Sequence, residues 1–207
     1  RFPNSKANFS GSYKQLFRSL WHFTKTEPEL REASAINFLV FAIFGSFWAS
    51  MVLFLSKEPY LFRADQIGLF GLVGATGALM APLVGKLSDK SAPRKVVLYG
   101  LVILIVSQFI FLGSGIYLIP FILGIIILEI GQQAVHVSNQ TRIYAINPEA
   151  RNRLNTVFMT ASFIGTACGS AIGLFLYAQT GWAGVCLGSI LFGLAAIVVY
   201  FMTSRHS

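Results

Sequence analysis

The sequence predicts an all-α integral membrane protein with six transmembrane helices, and three observations carry that prediction. Of 207 residues, 55% are hydrophobic and only 12% charged, with a mean hydropathy of +0.65. A soluble domain carries roughly a quarter charged residues, so this chain has more apolar surface than a water-facing fold can cover, and its solvent is largely lipid. The long apolar runs are 18 to 23 residues long, which suits a hydrocarbon layer of about 30 Å crossed by about 20 helical residues. Runs such as LVILIVSQFIFLG at 101–113 are apolar on every face, whereas membrane strands alternate strictly over about ten residues.

The elements follow in order. The chain begins at Arg1 with nothing resembling a signal peptide nearby, so the start reads as internal. Residues 1–12, RFPNSKANFSGS, have no periodicity and read as a linker. The following YKQLFRSLWHFTKTEPELREA sets Leu16, Leu20 and Phe23 near one side of a helix, with Lys14, Arg18 and Lys25 around it; this is an amphipathic segment expected on the inner membrane surface. Segment 1–32 is thus a cytoplasmic linker. Helices are expected over about 33–55, 66–87, 96–113, 116–137, 156–178 and 181–203, with a cytoplasmic tail over 204–207. The second carries Gly68, Gly71, Gly74 and Gly77 every three residues, and the fifth Gly165, Gly169 and Gly173 every four, which predicts close helix contacts on both. Gly115 and Pro120 mark the start of the fourth helix, where proline is tolerated because the amides of the first turn have no intrahelical partner. Cys168 and Cys186 lie inside apolar runs and read as small buried hydrophobes, not as a disulfide or a metal site.

Charge distribution predicts the orientation. Lys and Arg accumulate in cytoplasmic loops, and 14 of the 16 fall on one side of the expected topology: six in 1–32, four between the second and third helices, three between the fourth and fifth, one in the tail. Only Lys57 and Arg63 fall on the other. Both ends are therefore expected in the cytoplasm of a multi-pass protein of the cell's inner membrane. The net charge of +8 is spread over short loops, without the clustered face that nucleic acid requires, so no nucleic-acid partner is expected. The glycosylation triplets at Asn8 and Asn139 fall on the cytoplasmic side and carry no meaning there.

Enzymatic alternatives fail on geometry. Ser114 in Gly-Ser-Gly and His136 are 22 residues apart, about 33 Å along a helix, so they form no nucleophile pair. Glu129 and His136 have no third ligand at metal spacing. The glycines of the second helix follow no strand and make no phosphate loop. No catalytic residue, metal or cofactor is expected.

Two loops carry a family resemblance. GKLSDKSAPRKV, with Gly85, Asp89, Lys90, Arg94 and Lys95, resembles the signature loop of the major facilitator superfamily, although Ala92 stands where that loop has its second glycine. An ordinary positive-inside turn has similar charges. The stretch from Val135 to Gly165, with Pro148, Arg151 and Arg153, resembles the inner loop between the tenth and eleventh helices of prokaryotic efflux-type members. The order of segments resembles the carboxy-terminal six-helix half of that twelve-helix fold, whose two halves flank a central cavity.

Glu129 is the one acidic residue well inside an apolar run. Gln132, Gln133 and His136 follow at offsets of three, four and seven, and Asn139 and Gln140 continue the same side. An ionisable group left facing lipid at this depth costs roughly 2.5 to 3.5 kcal/mol, so the stripe must face protein or water. Two readings fit: Glu129 binds a proton or a substrate cation, or it is a neutral acid held in an interhelical hydrogen bond. Asn37, Phe44 and Trp48 share one side of the first helix, and the resemblance implies a cavity there for an amphipathic substrate. It further implies a secondary active transporter of small organic solutes, a proton-coupled efflux permease or antiporter. Its partners would be the lipid bilayer, a small-molecule substrate and an amino-terminal six-helix half. The competing class is a non-transport six-helix assembly partner or sensor in which Glu129 is structural.

Overall fold

The computed structural model describes residues 13–90, 92–115 and 117–203, the side chains of 13–16, 78 and 87–90 excepted. The expected linker over 1–12 and tail over 204–207 lie outside them. The elements are α1 (Tyr13–Thr26), α2 (Pro28–Leu55), α3 (Ala64–Gly68), α4 (Phe70–Gly74), α5 (Thr76–Lys90), α6 (Pro93–Ser114), α7 (Leu118–Ile146), a 3₁₀ turn (Pro148–Ala150) and α8 (Arg151–Thr203). The described residues contain helices and no strand, so the all-α membrane class holds.

Prolines open α2 and α6, where their missing amide costs no intrahelical bond. The segment α3 to α5 is one apolar run of membrane length, interrupted at Leu69 and Ala75. Both residues keep right-handed dihedrals with shallow ψ of −25° and −16°, and the Leu69 and Leu72 amides bond three residues back instead of four, the tighter 3₁₀ pattern.

α8 has 53 residues, about 80 Å at 1.5 Å per residue, more than twice a hydrocarbon layer. It turns back at Gly181, whose φ of 68° and ψ of −157° only glycine adopts readily. Hydrogen bonds give the directions of the two arms. Asn37 meets Ser162, the Ser170 hydroxyl donates to the Gly45 carbonyl (3.2 Å) and Tyr177 to that of Leu53 (3.1 Å). Sequence separation stays near 125 along that series, so α2 and the 151–180 arm run parallel. Trp182 donates to the Phe111 carbonyl (3.3 Å) and Arg94 to that of Tyr200 (3.0 Å), so the 182–203 arm runs antiparallel to α6.

The glycines divide. A β-carbon at Gly165, Gly169 or Gly173 would overlap Phe38, Ala42 or Ser46 of α2, so this face is a backbone-to-backbone contact. Gly68 and Gly71 instead meet open space, and the close contact expected of them is corrected. Glycines three apart drift by about 60° per step around a helix of 100° per residue, so four of them sweep half the circumference, and only Gly74 and Gly77 reach a neighbour. Cys186 is buried, whereas Cys168 is exposed, which corrects its expected burial.

The main apolar cluster is aromatic at one end. Phe121 touches the rings of Phe47, Phe54, Tyr60, Phe70, Phe111 and Trp182. Phe47 stacks on Phe111 and Phe54 on Trp182, at 4.6 and 4.4 Å. Tyr60, in the connection after α2, donates to the Gly115 carbonyl (3.0 Å), and burial raises its phenol pKa.

Candidate functional site

The polar stripe of α7 faces the interior of the bundle and meets α2, α5 and the first arm of α8. At its deep end Glu129 is 5% exposed. Its carboxylate fills a notch made by Gly74 at the end of α4 and Gly77 of α5: a β-carbon at Gly77 would overlap it, and one at Gly74 would stand 3.5 Å from it and under 3 Å from the Trp48 ring. Trp48 of α2 thus sits beside Glu129, and no ion pair reaches that carboxylate among the described residues. Gln132 is buried and Gln133 half-buried.

Two turns on, His136 Nδ1 lies 3.3 Å from the Asn37 side-chain oxygen, and the Asn37 amide donates to the Ser162 hydroxyl, which donates to the Phe158 carbonyl (3.0 Å). The imidazole stacks on Phe158 with centroids 5.3 Å apart and leans on Phe41 at 5.2 Å. Asn37, fully buried, therefore ties α7 through α2 to α8. Phe41, Phe44 and Trp48 form a half-buried row along α2, with centroids 5.9 and 6.1 Å apart. This aromatic row runs beside the stripe from His136 to Glu129. A cation or an apolar ring held there would touch a carboxylate and π-faces together.

The stripe ends in a charge network that the sequence reading missed. Arg142 donates to Asn139 Oδ1 (2.9 Å) and Glu29 Oε1 (3.1 Å), and lies 3.3 Å from Glu32 Oε2. Glu32 Oε1 is in turn 3.3 Å from Arg94 Nη2, and the Arg94 guanidinium lies over the Tyr200 ring at 4.9 Å. Glu32 and Arg142 have side chains only 3% and 7% exposed. A cavity of about 400 Å³ opens among Pro28, Glu29, Glu32, Pro93, Arg94 and Arg142. The available signal was the cluster of acids Glu27, Glu29 and Glu32 at the end of a flank that carries no acid before Glu27.

The two resembling loops look different in three dimensions. A β-carbon at Gly85 would meet open space, so that glycine mediates no close helix approach. Lys95 is exposed, while Arg94 turns inward to Glu32, where it compensates a buried carboxylate that would be costly to leave unpaired. The Asp89 and Lys90 side chains lie outside the described residues. Pro148 opens the 3₁₀ turn, which Asn147 caps by accepting from the Glu149 and Ala150 amides (3.0 and 3.2 Å). Arg151 donates to the Tyr144 carbonyl (3.2 Å), and the Arg153 guanidinium sits 5.2 Å from the Phe23 ring. Gln140 donates to Asn155 (3.2 Å) across the same connection.

Long apolar helices, an internal polar stripe and a buried charge network at one end define a multi-pass helical membrane protein. The sequence model of the Major Facilitator Superfamily matches residues 33–207. The chain is 37% identical over 199 residues to the putative uncharacterized transporter YgaY of Escherichia coli K12, covering 96% of this chain and 50% of that protein. It is 29% identical over 163 residues to the probable transporter SCO4007 of Streptomyces coelicolor, covering 78% and 38%. The chain belongs to the Major Facilitator Superfamily, and it spans about half the length of the curated relatives it matches.

Proposed function

We propose that this chain supplies one six-helix half of a secondary transporter in the cell's inner membrane, exporting small organic solutes in exchange for protons, with Glu129 as the group that holds the proton or the substrate. The relatives are named as transporters, and their extra length leaves room for an amino-terminal half to complete the cavity. The observation that carries the reading is the setting of Glu129: a carboxylate buried in mid-span, without a cation partner among the described residues, next to Trp48. A proton and a cationic substrate each neutralise such a group, so they compete for it, and competition is what exchange requires. The Phe41, Phe44 and Trp48 row suits an amphipathic organic solute. Asn37 and His136 hold that wall in position through their hydrogen bond.

The complete protein, reconstituted in vesicles holding a pH-reporting dye, tests this with a panel of small organic cations. A transported cation should dissipate an imposed pH gradient. Glu129→Gln should abolish the proton movement and retain solute exchange down the solute's own gradient. Proton movement at the parent rate in the Gln variant would remove Glu129 from the coupling.

A further inference from the structure

α1 presents a surface that neither the fold nor the proposed transport uses. Its Leu20 and Phe23 are half-buried, and Phe23 packs on the cluster that contains Leu30, Ile143, Leu154 and Phe158. The Arg153 guanidinium covers the Phe23 ring, and Arg31 of α2 donates to the Thr24 and Lys25 carbonyls, so the last turn of α1 is tied to the bundle. Of the apolar residues expected to meet the membrane, Phe23 thus faces protein and Leu20 is half-buried; the Leu16 side chain lies outside the described residues. What α1 leaves open is Phe17 and Trp21, 70% and 65% exposed. They stand one turn apart, about 40° from each other around the axis. Arg18 and Lys25 are exposed on the adjoining flank, and the Lys25 ammonium lies 5.6 Å from the Trp21 ring.

We infer that α1 binds the surface of an anionic bilayer, with Phe17 and Trp21 inserted at headgroup level and Arg18 and Lys25 engaging lipid phosphates. Three observations favour lipid over a protein partner. No acidic residue precedes Glu27, so the whole segment is complementary to an anionic surface. An aromatic pair bordered by cations matches the interface, where rings lie among the headgroups and basic side chains reach toward phosphate. α1 is tied to the bundle beside Leu30 and Ala33, where the apolar run of α2 starts and a bilayer surface must lie.

The complete protein, labelled with 5-fluorotryptophan and placed in bilayers of phosphatidylglycerol or phosphatidylcholine, gives the test. Trp21→Phe assigns the Trp21 fluorine resonance without touching the buried core. In phosphatidylglycerol that resonance should be broadened by a lipid carrying a headgroup nitroxide and protected from a water-soluble gadolinium chelate. Arg18→Gln with Lys25→Gln should lower the inserted fraction, each cation contributing about fivefold to the inserted-to-free ratio. Exposure of Trp21 to the chelate in phosphatidylglycerol would overturn the inference. So would shelter from chelate and nitroxide alike, which marks a protein contact, or an inserted fraction indifferent to both substitutions.

Discussion

Glu32 lies between two guanidinium groups, with Arg142 on one oxygen and Arg94 on the other. Burying the charges of Glu32 and Arg142 is unfavourable in isolation, and the arrangement, with the half-buried Arg94, persists because each has an opposite charge within 3.3 Å. Removing one member leaves another uncompensated. Arg142→Gln should therefore destabilise the protein by about 3 kcal/mol, in the range for breaking a buried pair; Glu32→Gln added to it should restore part of that loss. Thermal unfolding in detergent measures both, and equal stability of parent and Arg142→Gln would show that the network contributes nothing. Asn37 is a second such residue: its single amide serves His136 of α7 and Ser162 of α8 together. Its bridging role was invisible in sequence, where it stood as a cavity-lining candidate beside Phe44 and Trp48.

At the scale of elements, the contact between α2 and the first arm of α8 contrasts with the sparse surroundings of α3 and α4. Gly169 has the Ala42 backbone where its side chain would be, whereas Gly71 has nothing within 4 Å. Gly169→Leu should cost about 1 to 3 kcal/mol or prevent assembly, as overpacking does, while Gly71→Leu should stay within about 0.5 kcal/mol of the parent. Melting temperatures in detergent separate them, and equal losses in both variants would contradict the open surroundings of Gly71. Four-residue spacing kept the α8 glycines on one face, so sequence identified that contact. Three-residue spacing did not, and the neighbours of α3 and α4 are decided by where α7 and α2 lie.

The whole molecule has one charged end and one aromatic end, and its orientation is an expectation from the basic residues, 14 against 2. In a protein whose exposed Cys168 has been replaced by serine, a cysteine at Asn152 should react with an impermeant thiol reagent only from the cytoplasm. A cysteine at Lys57 should react only from outside. Both positions are exposed, so accessibility reports sidedness and not burial. Reversed labelling would invert the topology.

Apolar run lengths, low charge and two basic loops sufficed to place this chain among all-α membrane proteins and to suggest its superfamily, because lipid admits few solutions for a backbone that must satisfy its own hydrogen bonds. The stripe from Glu129 to Gln140 was also legible, since helical periodicity is a local property. What only the tertiary structure decided is which neighbours those side chains meet. Gly77 and Trp48 come together at Glu129 from two other helices, and Arg94 pairs with Glu32 across 62 residues of sequence. Such pairings depend on crossing and register between helices, which every apolar run of similar length leaves open; the contacts of Gly169, Asn37 and Arg142 select one of them.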